Sequence, residues 1–499
     1  MLSSAADLAD VKRKSVRGGA ITFATQGATA VLGLASTVVL ARLLSPGDYG
    51  ILAMAMAVTS FAGLFRDFGL SAAAVQQATL TQSQQSNLFW VNVGLGVVLT
   101  LALSAASPLV ARFYQEPEVL WILVTLSANF LIVSLSAQSG ALLVREMRFG
   151  RQATATLCGA VMQFVVAVIL AVEGFRYWSL AWSQLAGGAT SSGLLFVLSP
   201  FRPGWPSRGT GLRAMLRFGG DITAFNFVNY FQRNLDNILI GRFWGAGPLG
   251  VYSRAYALLM FPITNLRGPI NAVAFPALSR LRDQPAAYRA YYLRATSVLA
   301  LLSMPLTAYL FVAAEPVIEL LLGPQWLGVA PVFSFLALAA FIQPASGFAG
   351  SVMLSLGQGQ RYFRIGLFNA VVVSISFVVG LPWGPTGVAL SYAIVNYLIL
   401  YPWLSWAFRD SPVSFLDFSS ACAFPATASV IAVAFASISL IYAAEFSPVA
   451  RVAISSGIFL TVFALAAGLT AKGRRHVAFV ASLRRYFKGL PLEQVSSAR

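Results

Sequence analysis

One apolar stretch of this chain holds groups that an apolar stretch should exclude. Between Phe218 and Ile238, the residues Asn226, Asn229, Arg233 and Asn237 recur at steps of three, four and four, and Gln232 and Asp236 flank them. That spacing places the four on one stripe of a helix. Turned toward lipid, such groups would be costly, so they must face protein or a wet cavity. A guanidinium stays charged when buried and grips phosphate oxygens through forked hydrogen bonds. Arginines lining a cavity therefore suit a pyrophosphate headgroup. A plainer reading is that the stripe ties helices together by interhelical hydrogen bonds. Arg233 and Asp236 exceed what such tying needs, and they favour the cavity.

Further charge lies in two neighbouring apolar stretches. Arg254 and Arg267 sit early and late in the stretch that follows, and Arg66 and Asp67 adjoin near the end of a much earlier one. The cavity candidates are thus Arg233, Arg254, Asn226, Asn229, Asn237, Arg66 and Arg267. Their alternative roles are internal ion pairs, Arg66 with Asp67 and Arg233 with Asp236, or snorkelling of span-end arginines to the interface. Asp236, Asp221 and Asp67 are candidates for coupling to H⁺ or Na⁺, because buried carboxylates titrate. No catalytic set, metal or cofactor is expected. Cys158 and Cys422 lie in apolar stretches and the single His476 sits in a basic tail, which gives neither a disulfide framework nor metal-ligand spacing. Gly357-Gln-Gly-Gln-Arg361 lacks the Gly-Lys-Ser/Thr ending of a phosphate loop and reads as a turn, so direct ATP drive is unsupported.

The elements that must position these groups are membrane helices. Of 499 residues, 58% are hydrophobic and 10% charged, whereas soluble domains carry about 25% charged residues. Apolar runs long enough to cross a hydrocarbon core of roughly 30 Å fall near residues 19–41, 48–71, 87–111, 119–143, 152–172, 177–198, 217–241, 250–275, 291–313, 329–356, 362–381, 386–408, 418–443 and 449–471. The fold class is an all-α polytopic membrane protein of about fourteen transmembrane helices, the first read as an uncleaved span. The net charge of +17 invites a nucleic-acid reading, but its distribution opposes one. With both tails on one side, that side receives 25 of the 34 Lys and Arg residues and the other side five. Such a split is a positive-inside signal. It puts both termini in the cytoplasm, makes contact with anionic membrane lipids the meaning of the excess, and leaves no nucleic acid among the partners.

The chain also repeats. A shift of 200 residues aligns Gly19 with Gly219, Arg42 with Arg242, Gly47 with Gly247, Gly50 with Gly250 and Phe61 with Phe261 without a gap, and sets Asp67 opposite Arg267. The shift covers six helices, so both halves enter the membrane in the same sense, related by an axis along the membrane normal. This predicts an N-lobe over 1–200 (spans 1–6), a C-lobe over 201–410 (spans 7–12), an appended pair of spans within 411–471, and a basic cytoplasmic tail over 472–499. Two pseudo-symmetric six-helix lobes facing a central cavity are the usual layout of a secondary transporter. The Pro- and Gly-rich segment 200–211 reads as the linker. Pro262, Pro269 and Pro276 should kink or break span 8, and Pro305, Pro344, Pro402 and Pro425 could act likewise elsewhere.

Two regions resemble a known family. Val39-Leu-Ala-Arg-Leu-Leu-Ser-Pro-Gly-Asp-Tyr-Gly-Ile51, Leu64-Phe-Arg-Asp-Phe-Gly-Leu70, Asn234-Leu-Asp-Asn-Ile-Leu-Ile-Gly-Arg242, Leu249-Gly-Val-Tyr-Ser-Arg-Ala255 and Phe275-Pro-Ala-Leu-Ser279 are similar to segments of Wzx-type oligosaccharide flippases. The likeness is to the colanic-acid-exporter and succinoglycan-transport branch of the multidrug/oligosaccharidyl-lipid/polysaccharide superfamily. It is specific over about 18–80 and 215–285. The resemblance implies alternating access that flips an undecaprenyl-diphosphate-linked oligosaccharide across the bacterial inner membrane for exopolysaccharide or lipopolysaccharide biosynthesis. It implies the lipid-linked oligosaccharide as partner, with polysaccharide polymerase and export machinery as further ones, and no enzymatic step. The motif matches carry over Arg233, Asp236, Arg242 and Arg254, with Arg242 placed in an outer loop and given a structural role. Competing readings are a cation-coupled drug exporter, which would want an acidic cavity, and a membrane glycosyltransferase or polymerase, which usually needs a larger non-membrane loop bearing carboxylates. A scaffold would leave the polar stripe without a use.

Overall fold

A computed structural model describes residues 5–66, 81–207, 230, 233–470 and 473–474. Among them every regular element is a helix. Ten helices or helix pairs are long and apolar enough to cross a membrane. The polytopic all-α class follows, and the expected spans map onto the helices closely. Spans 3 to 6 become Gln82–Tyr114, Glu118–Arg145, Phe149–Val172 and Tyr177–Leu198. Spans 13 and 14 become Phe415–Tyr442 and Pro448–Leu469. Span 7 is described only as a helix over 233–244.

Local chemistry sets the helix starts. Ser45 accepts from the Asp48 N–H, and Asp48 Oδ2 takes the Ser45 N–H (2.9 Å) and hydroxyl (2.6 Å), with Pro46 at the first helical position. The same reciprocal box recurs with Thr81 and Gln84, and with Ser414 and Asp417. Each box satisfies helix-end donors that hydrocarbon or packing would otherwise strand. Gly357 adopts φ +77° between the helices Ala349–Ser355 and Gly359–Gly380, so the glutamine-glycine segment is a turn.

Proline does less than its spacing suggested. The helix Ala246–Arg280 continues through Pro262, Pro269 and Pro276, which corrects the expectation of a break. Each proline removes one ladder bond, and seven residues between them leave nearly two intact turns. Pro305 and Pro425 also lie inside continuous helices. Interruptions do occur near Pro344, between Val329–Gly347 and Ala349–Ser355, and near Pro402, between Gly384–Leu398 and Leu400–Phe408.

The chain forms two compact units, Met1–Ser253 and Arg254–Arg499. In the first, Glu118–Arg145 packs against Gln82–Tyr114, Tyr177–Leu198 and Pro46–Arg66. Small residues let the helices close: Gly159 lies against the Gly187 carbonyl and Ser191, and Gly96 against Ser134. Without a hydrophobic drive between helices in lipid, close small-residue contact is what holds them. Large apolar side chains such as Leu101, Leu109, Trp121 and Ile169 point outward instead. The described part of the linker is tied down. Asn87 donates to the Ser207 carbonyl (2.6 Å) and accepts from its N–H (2.8 Å), Trp90 donates to the Gly204 carbonyl (2.9 Å), and Trp90 stacks on Trp205.

Within this unit the two copies of the repeat touch. Gly50 abuts the backbone of Ala246, and Gly250 abuts the backbone of Pro46. Since 46 and 50 are the repeat equivalents of 246 and 250, the contact is reciprocal, as a local two-fold requires. Neighbouring contacts reinforce it. Tyr114 lies on Gly241, Glu116 accepts the Ala246 N–H (3.3 Å), Arg242 sits over the rings of Phe113 and Phe243, and Arg176 pairs with the buried Asp48 (3.2 Å).

The second unit is centred on Tyr292, which stacks on Phe348 and meets Phe408 edge-on. The last two spans dock on the helix Pro285–Val312. Arg289 grips both carboxylate oxygens of Asp417, and the Tyr309 hydroxyl bonds the Val452 carbonyl (3.1 Å). Arg451 pairs with Glu315 and Glu319, and Arg361 pairs with Asp410 (2.7 Å) in the turn before Phe415.

Two outcomes are expected. Gly50→Val and Gly250→Val should each force backbone apart and cost about 1–3 kcal/mol or more, read as a lower thermal midpoint in detergent. Gly247→Ala, which meets nothing within 4 Å, should be neutral. The Asp410 carboxyl is held below its ordinary value by its hydrogen bond to Arg361 and by the charges of Arg361 and Arg409. A lowered folded-state value means the pair stabilises above the ordinary carboxylate range and fades as pH falls through the lowered value. The thermal midpoint of Asp410→Asn should therefore differ from wild type at neutral pH and converge with it in strong acid.

Candidate functional site

Of the expected site residues, Asp67, Asp221, Asn226 and Asn229 lie outside the described residues, as does Gln232. The others separate into buried, packed and exposed positions.

Asp236 is buried, 4% exposed. Its Oδ2 accepts from the Tyr252 hydroxyl (2.8 Å) and its Oδ1 from the Asn237 N–H (2.8 Å). This is the tying role that a buried carboxylate takes when its lone pairs are filled from the next helix. Arg233 is exposed and forms no ion pair with Asp236 or with any other described residue. Asn237 Oδ1 is buried with no hydrogen-bond partner among the described residues. Seven residues before Asn237, buried Tyr230 donates to the Ala57 carbonyl and meets the Phe61 ring edge-on, which fixes this part of the chain against Pro46–Arg66.

In the second unit, Arg254 is half-buried on the helix Ala246–Arg280. Arg267 lies flat against Gly347, with Nη2 3.4 Å from its carbonyl oxygen. A guanidinium over a glycine at the end of Val329–Gly347 supports the helix interruption there. Arg242 lies within the helix 233–244, which corrects its placement in a loop, and it sits over the rings of Phe113 and Phe243 as a packing residue.

Arg66 is different. It ends the helix Pro46–Arg66, is exposed, and opens onto a cavity of about 190 Å³ inside the first unit. The other walls are Thr59, Ser60 and Gly63 from the same helix, Leu126, Asn129 and Phe130 from Glu118–Arg145, and Gln184 from Tyr177–Leu198. Among the described residues the lining thus joins one guanidinium, two amides and two hydroxyls, with no carboxylate. Asn129 Oδ1 is buried with no hydrogen-bond partner among the described residues. Gly188 allows that oxygen in, because any side chain there would collide with it. Gln184 Nε2 reaches only the Met56 sulfur, at 3.9 Å, a weak acceptor. Such a lining can take an anion at one end and hydroxyl or amide groups at the other. It offers no nucleophile and base, and among the described residues no group of three His, Cys, Asp or Glu could hold a metal.

Asn129 and Gln184 are absent from the sequence-based candidates. Each is the sort of lone amide in an apolar run that signals a functional position, but neither is part of a stripe.

A family model described as polysaccharide biosynthesis protein matches residues 39–331. Lipopolysaccharide biosynthesis protein WzxC of Escherichia coli (strain K12) is 26% identical over 374 residues, 74% of this chain and 75% of that one. Teichuronic acid biosynthesis protein TuaB of Bacillus subtilis (strain 168) is 28% identical over 350 residues, 68% of this chain and 72% of that one. Succinoglycan biosynthesis transport protein ExoT of Rhizobium meliloti (strain 1021) is 26% identical, with 76% and 77% covered. Among solved structures, lipid II flippase MurJ in an inward closed conformation matches with a TM-score of 0.72 at 14% identity, over 89% of this chain and 98% of that one. An inward-facing multidrug resistance MATE family transporter of the MOP superfamily matches with a TM-score of 0.65 at 16% identity, over 79% and 95%. These two likenesses speak for the fold. The family match spans more than half of the 499 residues, and the chain belongs to the polysaccharide biosynthesis protein family.

Proposed function

We propose that this protein is a secondary transporter that flips an undecaprenyl-diphosphate-linked oligosaccharide from the cytoplasmic to the periplasmic leaflet of the inner membrane, for exopolysaccharide or lipopolysaccharide assembly. The observation that carries the reading is a guanidinium-bearing polar cavity, whose described lining holds no carboxylate, between helices of a polysaccharide biosynthesis protein. A diphosphate and its sugars cannot cross hydrocarbon unaided. Arg66 at this cavity would offset part of that cost while the lipid tail stays in the bilayer, and Arg233 and Arg254 are further candidates for the same task. The lining also argues against export of cationic drugs, whose charge would be repelled there.

The mechanism we favour is alternating access by an N-lobe of spans 1–6 and a C-lobe of spans 7–12, without chemical change to the substrate. Both termini lie in the cytoplasm in this scheme, and a polymerase and export machinery take up the flipped product. Asp236 is the described member of the three coupling candidates. A proton or cation arriving there would have to displace the Tyr252 hydroxyl, so we assign Asp236 first to helix positioning.

Deleting the gene should abolish surface polymer and leave lipid-linked oligosaccharide accumulated on the cytoplasmic side, measured by mass spectrometry of extracted lipids. Complementation with Arg66→Ala, Arg233→Ala or Arg254→Ala should restore membrane insertion but less than a tenth of the polymer, a loss of about 1.4 kcal/mol or more in effective transport. Wild-type polymer in all three would remove the arginines from the site. Unchanged lipid intermediates in the deletion strain would remove the function.

A further inference from the structure

The turn joining two helices of the first unit carries charge at the mouth of an apolar groove. Phe149–Val172 ends at Glu173 and Tyr177–Leu198 begins after Arg176, with Gly174 and Phe175 between. Gly174 takes φ +81°, and Arg176 takes φ +46° and ψ −132°, where non-glycine residues are rare. Both charged residues are exposed, and Glu173 forms no ion pair with a described residue. Arg176 gives Nε to Asp48 (3.2 Å) while its side chain stays 69% exposed, so its terminal nitrogens remain for another acceptor.

Phe175 belongs to the turn and also lines the groove, a space of about 560 Å³. Val166 and Leu170 line it from the first helix, and Trp182, Ala186 and Ala189 from the second; every lining side chain is apolar. Beside it Ile169 and Val172 point outward, so the groove opens on the lipid face. It is not the polar cavity: the helix Tyr177–Leu198 turns Gln184 to the cavity and Ala186 to the groove. Trp182 stacks on Trp178, and Arg176 lies over the Tyr177 ring. Trp and Tyr gather where hydrocarbon meets headgroups. The charged turn therefore sits at headgroup depth and the groove at acyl-chain depth.

We propose that turn and groove bind a phospholipid with a zwitterionic ammonium-phosphate head, phosphatidylethanolamine, as a resident part of the protein. Arg176 forks onto the phosphate, Glu173 accepts from the ammonium, and one acyl chain lies in the groove. An anionic head without an ammonium meets the carboxylates of Glu173 and Asp48 beside a single guanidinium, and binds less well. The phosphate shares Arg176 with Asp48, whose box with Ser45 starts Pro46–Arg66. The lipid thus bears on the end of that helix which meets Ala246 and Gly250 in the seam.

The test titrates delipidated full-length protein in detergent with phosphatidylethanolamine or phosphatidylglycerol of identical acyl chains, read by native mass spectrometry. Wild type should bind one phosphatidylethanolamine about tenfold more tightly than phosphatidylglycerol. Glu173→Gln should erase that preference and leave the thermal midpoint of the lipid-free protein unchanged. Ala189→Phe should fill the groove and weaken both lipids. Arg176→Gln should also weaken both, but it releases Asp48 as well, so Glu173→Gln is the deciding variant. Equal binding of the two lipids by wild type, a preference that survives Glu173→Gln, or wild-type binding by Ala189→Phe overturns the proposal, as does a dimer in place of bound lipid.

Discussion

The controlling constraint in this protein is the penalty for a polar group that hydrocarbon leaves without a partner. It explains why every described regular element is a helix, and why helix starts carry reciprocal boxes such as Ser45 with Asp48 and Ser414 with Asp417. It also sorts the polar side chains into two populations. Asp236, Gln343 and Asp417 have their needs met by Tyr252, Tyr392 and Arg289, and they hold helices together. Asn129 and Asn237 keep an oxygen without a partner among the described residues. An unmet need inside a membrane bundle is a standing invitation to a ligand, and one of these two oxygens borders a cavity.

The two segments related by the 200-residue shift are alike in one respect and unlike in another. The repeat equivalents at 46–50 and 246–250 keep a reciprocal packing role. The amide-bearing spans differ, one pair closed on itself and the other open onto the cavity.

Much of the fold was legible because hydropathy is an additive signal over some twenty residues. The expected 177–198 and 152–172 coincide with Tyr177–Leu198 and Phe149–Val172 almost residue for residue. The proline triplet of span 8 does not break its helix, because a missing N–H weakens a long helix without ending it. The site was legible only in part. Charges stand out against an apolar background, so Arg66 and Asp236 were visible. Their partners were not. Tyr252 is one aromatic among many, and the contact of Arg267 with Gly347 joins residues 80 positions apart. Asn129 and Gln184 escaped because a single amide carries no periodicity, and only the packing of three helices shows that they share a wall.

The contact of Gly50 with Ala246 and of Gly250 with Pro46 is made by main chain alone. Nothing in it depends on which side chains line the cavity below. Substitutions at Thr59, Ser60 or Asn129 therefore leave the backbone contacts of Gly50 and Gly250 as they are. Packing made by backbone and a lining made by side chains can vary separately, the lining by ordinary point substitution.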